Sequence, residues 1–183
     1  MRTFPNLLAA VFTLQAAVAL GADDLWVDVD RNGSTFAVSA VATVAAPIST
    51  VWQVLTDYEH LSRFIPGLSR SVVEARDANR VVVEQKGEAR FLVFSYPIEV
   101  RLEVLESPTD SIVSRAIDGN LKRMSGRYEL SKAGGGIQLR YSGELEPDFS
   151  LPPIVGTLAV RTMVEEQFGA MVAEIERRAG PSR

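Results

Sequence analysis

From Ser71 to about Leu145 the chain repeatedly alternates apolar and polar side chains with a period of two. Ile98, Val100, Leu102 and Val104 fall on one face of a run from Ser95 to Glu106, and Glu99, Arg101 and Glu103 on the other. Met124, Gly126, Tyr128 and Leu130 alternate in the same way with Ser125, Arg127, Glu129 and Ser131. So do Ile137, Leu139, Tyr141, Gly143 and Leu145 with Gln138, Arg140, Ser142 and Glu144. Successive side chains of a strand point to opposite faces, so this pattern predicts an antiparallel sheet with one apolar and one wet face. Shorter strands are expected at Ser71 to Arg76, Arg80 to Arg90 and Ile112 to Asp118, the first two joined by a turn at Asp77-Ala78-Asn79.

The period changes on both sides of this block. Phe36 to Val44 is rich in small and β-branched residues and reads as a first strand. Pro47 opens a short helix to Thr56, and a second fits Glu59 to Ile65, stopped by Pro66-Gly67. Helices this short need a sheet to pack on. After Pro152-Pro153, apolar residues Leu158, Val164, Phe168, Met171, Val172 and Ile175 mark the stripe of a long helix from about Val155 to Arg178. The expected fold is α+β: a helix-grip arrangement in which a seven-stranded curved antiparallel sheet carries two short helices and a long C-terminal helix. It spans residues 36–178, after a lead-in at 23–35 and before a frayed tail at 179–183.

The first residues follow a different logic. Arg2 supplies a minimal positive start, Leu7 to Leu20 is an uncharged apolar run, and Leu20-Gly21-Ala22 offers small residues for cleavage. Residues 1–22 are therefore expected to be a cleavable secretory signal, the run being short for a transmembrane helix. The expected location is the periplasm or the exterior. The net charge of −4 and the lack of a basic block leave no electrostatic footprint for nucleic acid. With no cysteine, disulfides, thiol catalysis and thiolate metal sites are excluded.

Two segments carry a family resemblance. The run from Ala46 through Pro47-Ile48-Ser49-Thr50-Val51-Trp52-Gln53-Val54-Leu55-Thr56-Asp57-Tyr58, continuing to Phe64-Ile65-Pro66-Gly67, resembles the opening of the START-like (SRPBCC) polyketide cyclase/dehydrase and coenzyme Q-binding family. Gly126-Arg127-Tyr128-Glu129-Leu130 resembles that family's later small-basic-aromatic strand. The resemblance covers roughly Phe36 to Arg178. It implies the helix-grip fold, but members include carriers, ring-closing enzymes and ribosome-associated proteins, so it discriminates poorly between functions.

Strand parity predicts where a ligand would sit. The connection around Phe91 to Phe94, the turn at Asp118-Gly119-Asn120 and the segment from Phe149 to Ile154 should emerge at one end of the sheet. The first and last are apolar, as expected of the rim of a hydrophobic pocket between sheet and long helix. Inward strand positions and the helix stripe would line it: Phe91, Phe94, Ile98, Val100, Met124, Tyr128, Tyr141, Leu158, Val164 and Phe168. Trp52, Leu55 and Phe64 would join from the short helices. Packing into the core is the alternative for each of them. Arg161 either reaches inward to hydrogen-bond an otherwise apolar ligand or pairs with Glu165 on the surface. Ala40, Ala42, Gly87, Gly126 and Gly143 remove volume from the inward face, though a strand glycine also marks bulges and bends.

Candidate chemistry is sparse. His60, the single histidine, shows no obvious partner, and no spacing of carboxylates suggests a metal site. Gly134-Gly135-Gly136 precedes no helix and reads as a turn rather than a phosphate loop. No catalytic residue, metal or cofactor is assigned. The preferred partner is a hydrophobic small molecule (a lipid, quinone or polyketide-like compound), with transient membrane contact at the cavity rim. The competing readings are a cyclase/dehydrase-type enzyme and a protein-interaction module with a vestigial pocket.

Overall fold

The computed structural model describes residues 25–91, 94–149 and 153–180, with the backbone alone at 91, 94, 153 and 154. The expected leader (1–22), the loop residues 92–93 and 150–152, and the end of the tail (181–183) lie outside the described residues. In chain order the elements are β1 (Trp26–Asn32), β2 (Thr35–Val44), α1 (Ile48–Leu55), a 3-10 helix (Tyr58–Arg63), β3 (Leu68–Asp77), β4 (Arg80–Phe91), β5 (Phe94–Ser107), β6 (Ser111–Gly119), β7 (Leu121–Ala133), β8 (Gly136–Pro147) and α2 (Pro153–Ala179). The strands form one antiparallel sheet in the order β1-β2-β8-β7-β6-β5-β4-β3. This is the helix-grip fold, with eight strands where the hydrophobic pattern predicts seven.

The additional strand is β1, in the stretch expected to be a lead-in. Val27 and Val29 are its buried pair, at 3% and 8% exposure, and they alternate with Asp28 and Asp30. The hairpin to β2 turns at Asn32-Gly33-Ser34-Thr35, where Gly33 takes a φ of +63°. A left-handed residue in a tight hairpin is what an Asn-Gly pair supplies.

The sheet curls around α2, and two contacts two residues apart along the helix record the grip. A Cβ built on Gly169 would stand 4.0 Å from Leu25, just before β1 at one edge. The Gln167 side chain donates to the Pro66 carbonyl at 3.1 Å, just before β3 at the other edge. Both edge strands thus approach the helix, which lies across the concave face. The opposite face is wet, with cross-strand ion pairs such as Arg80–Glu103, Arg115–Glu103 and Arg101–Glu74. Exposed pairs of this kind contribute little each.

The Phe91–Phe94 end of the β4–β5 ladder, the Gly119–Asn120 turn and Phe149 belong to one end of the sheet, here called upper. The rings of Tyr96 and Phe149 lie 3.6 Å apart between centroids, although β6 and β7 separate their strands in the sheet order. At about 4.8 Å per strand a flat sheet would hold them far apart, so curvature brings them together. The Asn120 side chain ties the β6–β7 turn onto β5, donating to the Pro97 carbonyl at 2.7 Å and accepting from the Glu99 amide at 2.9 Å.

Candidate functional site: a half-open concave face

The inward face behaves differently at its two ends. In the lower half, Val44, Val81, Val83, Leu102, Val104, Ile112, Leu130, Ile137 and Leu139 are all buried to 8% exposure or less. They are covered by Val51, Val54 and Leu55 of α1 and by Met171, Val172 and Ile175 of α2. In the upper half Phe36 and Val38 of β2 are buried too, but Ile98, Ala116, Met124, Tyr128, Tyr141 and Leu145, which continue the inward parity on β5 to β8, stay partly accessible. Val164, on the first half of α2, shares that accessibility. Apolar side chains that face the helix layer and stay partly exposed mark this half as the candidate place for a ligand.

Tyr128 and Tyr141 stand where these partly exposed positions meet the buried Leu130 and Leu139. They are directly paired across β7 and β8, with ring centroids 4.8 Å apart. Behind Tyr128, the buried Phe168 ring lies nearly parallel at 6.4 Å. Tyr141 lies flat along its strand over a glycine pair. A Cβ at Gly126 would stand 2.7 Å from its hydroxyl, and one at Gly143 only 2.5 Å. The two glycines therefore make room for a ring; they do not enlarge a void, as their small size suggests. Gly87 also serves a close approach, since a Cβ there would meet the Gly67 carbonyl at 2.2 Å.

Among the described residues neither tyrosine hydroxyl makes a hydrogen bond, and no fully buried side-chain oxygen or nitrogen lacks a partner. Both phenol oxygens must then reach accessible space. Burial pushes both ionisations up, to about 12 for Tyr141 and further for Tyr128, where the neighbouring Tyr141 adds to the effect. The two side chains are neutral donors throughout the physiological range.

The remaining expected site residues are distributed as follows. Ile98, Met124, Tyr128, Tyr141 and Val164 do come together. Leu55, Val100 and Phe168 are buried at 4%, 5% and 3% and belong to the closed core. Trp52 is half-buried at the edge of that core. Phe64 is not in the upper space. It lines a polar cleft of about 390 Å³ at the far end of α2, where the Arg178 guanidinium lies 5.8 Å from its ring centre. Leu158 is 58% exposed and does not line the interior. At about 100° per residue it sits roughly 120° around the helix from Val164, whereas Val160, 5% exposed, lies close to the same line. Arg161 also turns outward, its Nε 2.9 Å from Glu165 in the surface pair. The side chains of Phe91 and Phe94 lie outside the described residues, although their backbones pair at the end of the β4–β5 ladder.

The profile of the family described as polyketide cyclase/dehydrase and lipid transport matches residues 44–173. The chain belongs to this family. No curated protein matches it. Solved structures of START-like proteins share the fold of this family member. An aromatase/cyclase, Zhui, from Streptomyces sp. R1128 aligns with a TM-score of 0.65 at 18% identity, over 79% of this chain and 93% of its own. A STAR-related lipid transfer protein from Xanthomonas axonopodis gives 0.65 at 16% identity, over 87% and 96%. A START superfamily protein from Mycobacterium smegmatis gives 0.61 at 16% identity, over 78% and 96%.

Two polar clusters hold the closed half of this family member, and neither was evident from spacing. His60 has a partner after all: its Nδ1 lies 2.6 Å from Asp57. Arg178 of α2 reaches the other Asp57 oxygen at 2.8 Å and Glu174 at 2.7 Å, joining the helix end to the α1 region. Burial opposes ionisation of Asp57, but hydrogen bonds from His60 and Arg178 outweigh it and hold the carboxyl below its usual range. The second cluster is Tyr58, Arg76 and the buried Glu106. The Tyr58 hydroxyl donates to Glu106 at 2.9 Å and Arg76 approaches the same carboxylate at 3.1 Å. Glu106 extends the inward series Val100, Leu102, Val104, and an acid at an inward position is the sequence signal for such a cluster.

Proposed function

We propose that this family member is an exported binding or carrier protein for a hydrophobic small molecule, held between the upper half of the sheet and the first half of α2. The observation that carries this reading is the persistent accessibility of inward apolar residues there, beside a fully buried lower half. The family description and the lipid transfer protein among the structural relatives support the class of ligand. The apolar run of residues 7–20 supports export. Val155 and Leu158, exposed at 37% and 58% on the first turns of α2, suit transient contact of the rim with a lipid surface during loading.

The test is to purify the full-length gene product from the periplasm of its own host and analyse organic extracts by mass spectrometry. A stoichiometric apolar compound, on a chain whose N-terminus begins near Asp23, is the expected result. A protein that retains its leader and carries no extractable compound would contradict both parts.

A cyclase/dehydrase-type enzyme is the second reading, favoured by the family description and by Zhui. In it, the tyrosine hydroxyls would orient or protonate an oxygen of a polyketide-like chain. Turnover of such a chain, lost in a Tyr128→Phe/Tyr141→Phe variant, would favour it over carriage. A module with a vestigial pocket is disfavoured by the accessible inward residues.

A further inference from the structure

We infer that Tyr128 and Tyr141 form a two-donor polar subsite, and that the ligand is therefore an apolar molecule carrying a neutral oxygen acceptor, such as a ketone, quinone or ester carbonyl. This inference rests on the upper half being a ligand cavity and names the chemistry that cavity selects.

The argument begins with placement. The two residues are direct cross-strand partners with rings 4.8 Å apart. The Tyr141 ring is held flat over Gly126 and Gly143, and the Tyr128 ring is backed by Phe168. Both donors are thus pre-oriented by packing, which lowers the ordering cost of using them. Among the described residues neither hydroxyl has a protein partner, and both reach accessible space. A phenylalanine at either position would fill the same volume with no unmatched group. Two phenols left free side by side at a cavity floor fit a site whose partner arrives with the ligand.

Chemistry then narrows the ligand. A neutral phenol donates one hydrogen bond, and a carbonyl oxygen has two lone pairs to accept from two donors. The other inward residues of this half, Ile98, Met124, Leu145 and Val164, carry no charge. Nothing among them compensates an ionised carboxylate or phosphate, whose desolvation would then oppose binding. Of the two readings of Arg161, a polar handle or a surface pair, the structure has the pair with Glu165. The acceptor is neutral, and the rest of the molecule is apolar.

The experiment uses two size-matched probes, 2-acetylnaphthalene and 2-ethylnaphthalene, titrated calorimetrically into the mature protein and into Tyr128→Phe/Tyr141→Phe. In the wild type the ketone binds about fivefold to tenfold more tightly than the hydrocarbon, the gain of one to two net hydrogen bonds. Its carbonyl stretch moves to lower wavenumber on binding. In the double variant this preference disappears while the hydrocarbon binds within about twofold of its wild-type affinity, because no protein hydrogen bond is lost. The variant also unfolds at the same urea concentration as the ligand-free wild type, which separates a binding role from a structural one. Equal affinity for both probes, or a ketone preference that survives the double substitution, would overturn the subsite and leave the cavity standing. Failure of both probes to bind the wild type would overturn the cavity and the subsite together.

Discussion

The lower and upper halves of the concave face share strands, parity and much the same composition, and they differ in what lies opposite. Below, Met171, Val172 and Ile175 of α2 and Val51, Val54 and Leu55 of α1 share one buried cluster with the sheet, and residues such as Val83, Leu139 and Ile175 are buried to 1% exposure or less. Above, Ile98, Met124 and Tyr141 of the sheet and Val164 of α2 stay partly exposed. The closed half is anchored by charge as well as by packing: Arg178, Asp57, His60 and Glu174 tie helix to helix at one end. The lesson is that an amphipathic strand specifies which face is apolar. Whether that face becomes core or cavity is decided by the partner layer.

The largest expected effect is an unequal cost of truncation. Ile175→Ala removes a fully buried side chain from the closed half and should cost about 2–5 kcal/mol. Ile98→Ala, in the open half, should cost about 1 kcal/mol or less, because its side chain already meets accessible space. Urea unfolding of the two variants measures the contrast, and equal costs would erase the distinction between the halves.

Next in size is the glycine bed. Gly126→Ala places a methyl 2.7 Å from the Tyr141 hydroxyl and 2.9 Å from a ring carbon, with no backbone atom among its three nearest neighbours. It should destabilise by about 1–3 kcal/mol through overpacking. The cost should largely vanish in a Tyr141→Ala background, a coupling that a double-mutant cycle measures. Additive effects would show that the ring does not occupy that bed.

A smaller effect depends on pH. Hydrogen bonds from Arg177, then Arg178, outweigh burial and pull Glu174 down to about 2 from its ordinary 4.5. A depressed carboxylate stabilises the folded state above the unfolded value and loses that contribution as pH falls through the folded one. The thermal midpoint should therefore decline between about pH 4.5 and about 2. The decline should be shallower in Glu174→Gln, and identical slopes would remove Glu174 from the latch. The smallest effect belongs to Arg161→Ala, which should change stability by less than about 0.5 kcal/mol and leave ligand affinity intact.

The architecture was legible because its signals are local. Period-two runs mark strands from β3 to β8, small and β-branched residues mark β2, Pro47 and Pro152-Pro153 mark helix starts, and the alternation of β5 identifies its inward residues. β1 escapes the pattern because acids alternate with its only two valines and its Asn32-Gly33 turn falls in the stretch expected to be a lead-in. The phase of α2 departs from the expected stripe at one apolar residue, Leu158, because a single leucine among Val155, Val160 and Val164 admits two registers near the helix start. The bed of Tyr141 was not legible at all. Glycine in a strand can leave a void, bend a sheet or receive a ring, and only the position of the ring distinguishes them. The Asp57–His60–Arg178 contact joins residues more than a hundred positions apart, beyond the reach of any spacing rule.

The central claim, that the upper half is a ligand-accessible apolar cavity and the lower half is not, is tested most directly with xenon. Methyl NMR of the ligand-free protein under increasing xenon pressure should show saturable shifts at Ile98, Met124 and Val164, and none beyond the linear pressure response at Val83, Leu139 and Ile175. Apolar cavities take up xenon, whereas close-packed cores have no room for it. Shifts absent from the upper methyls, or equal in both halves, would contradict the account.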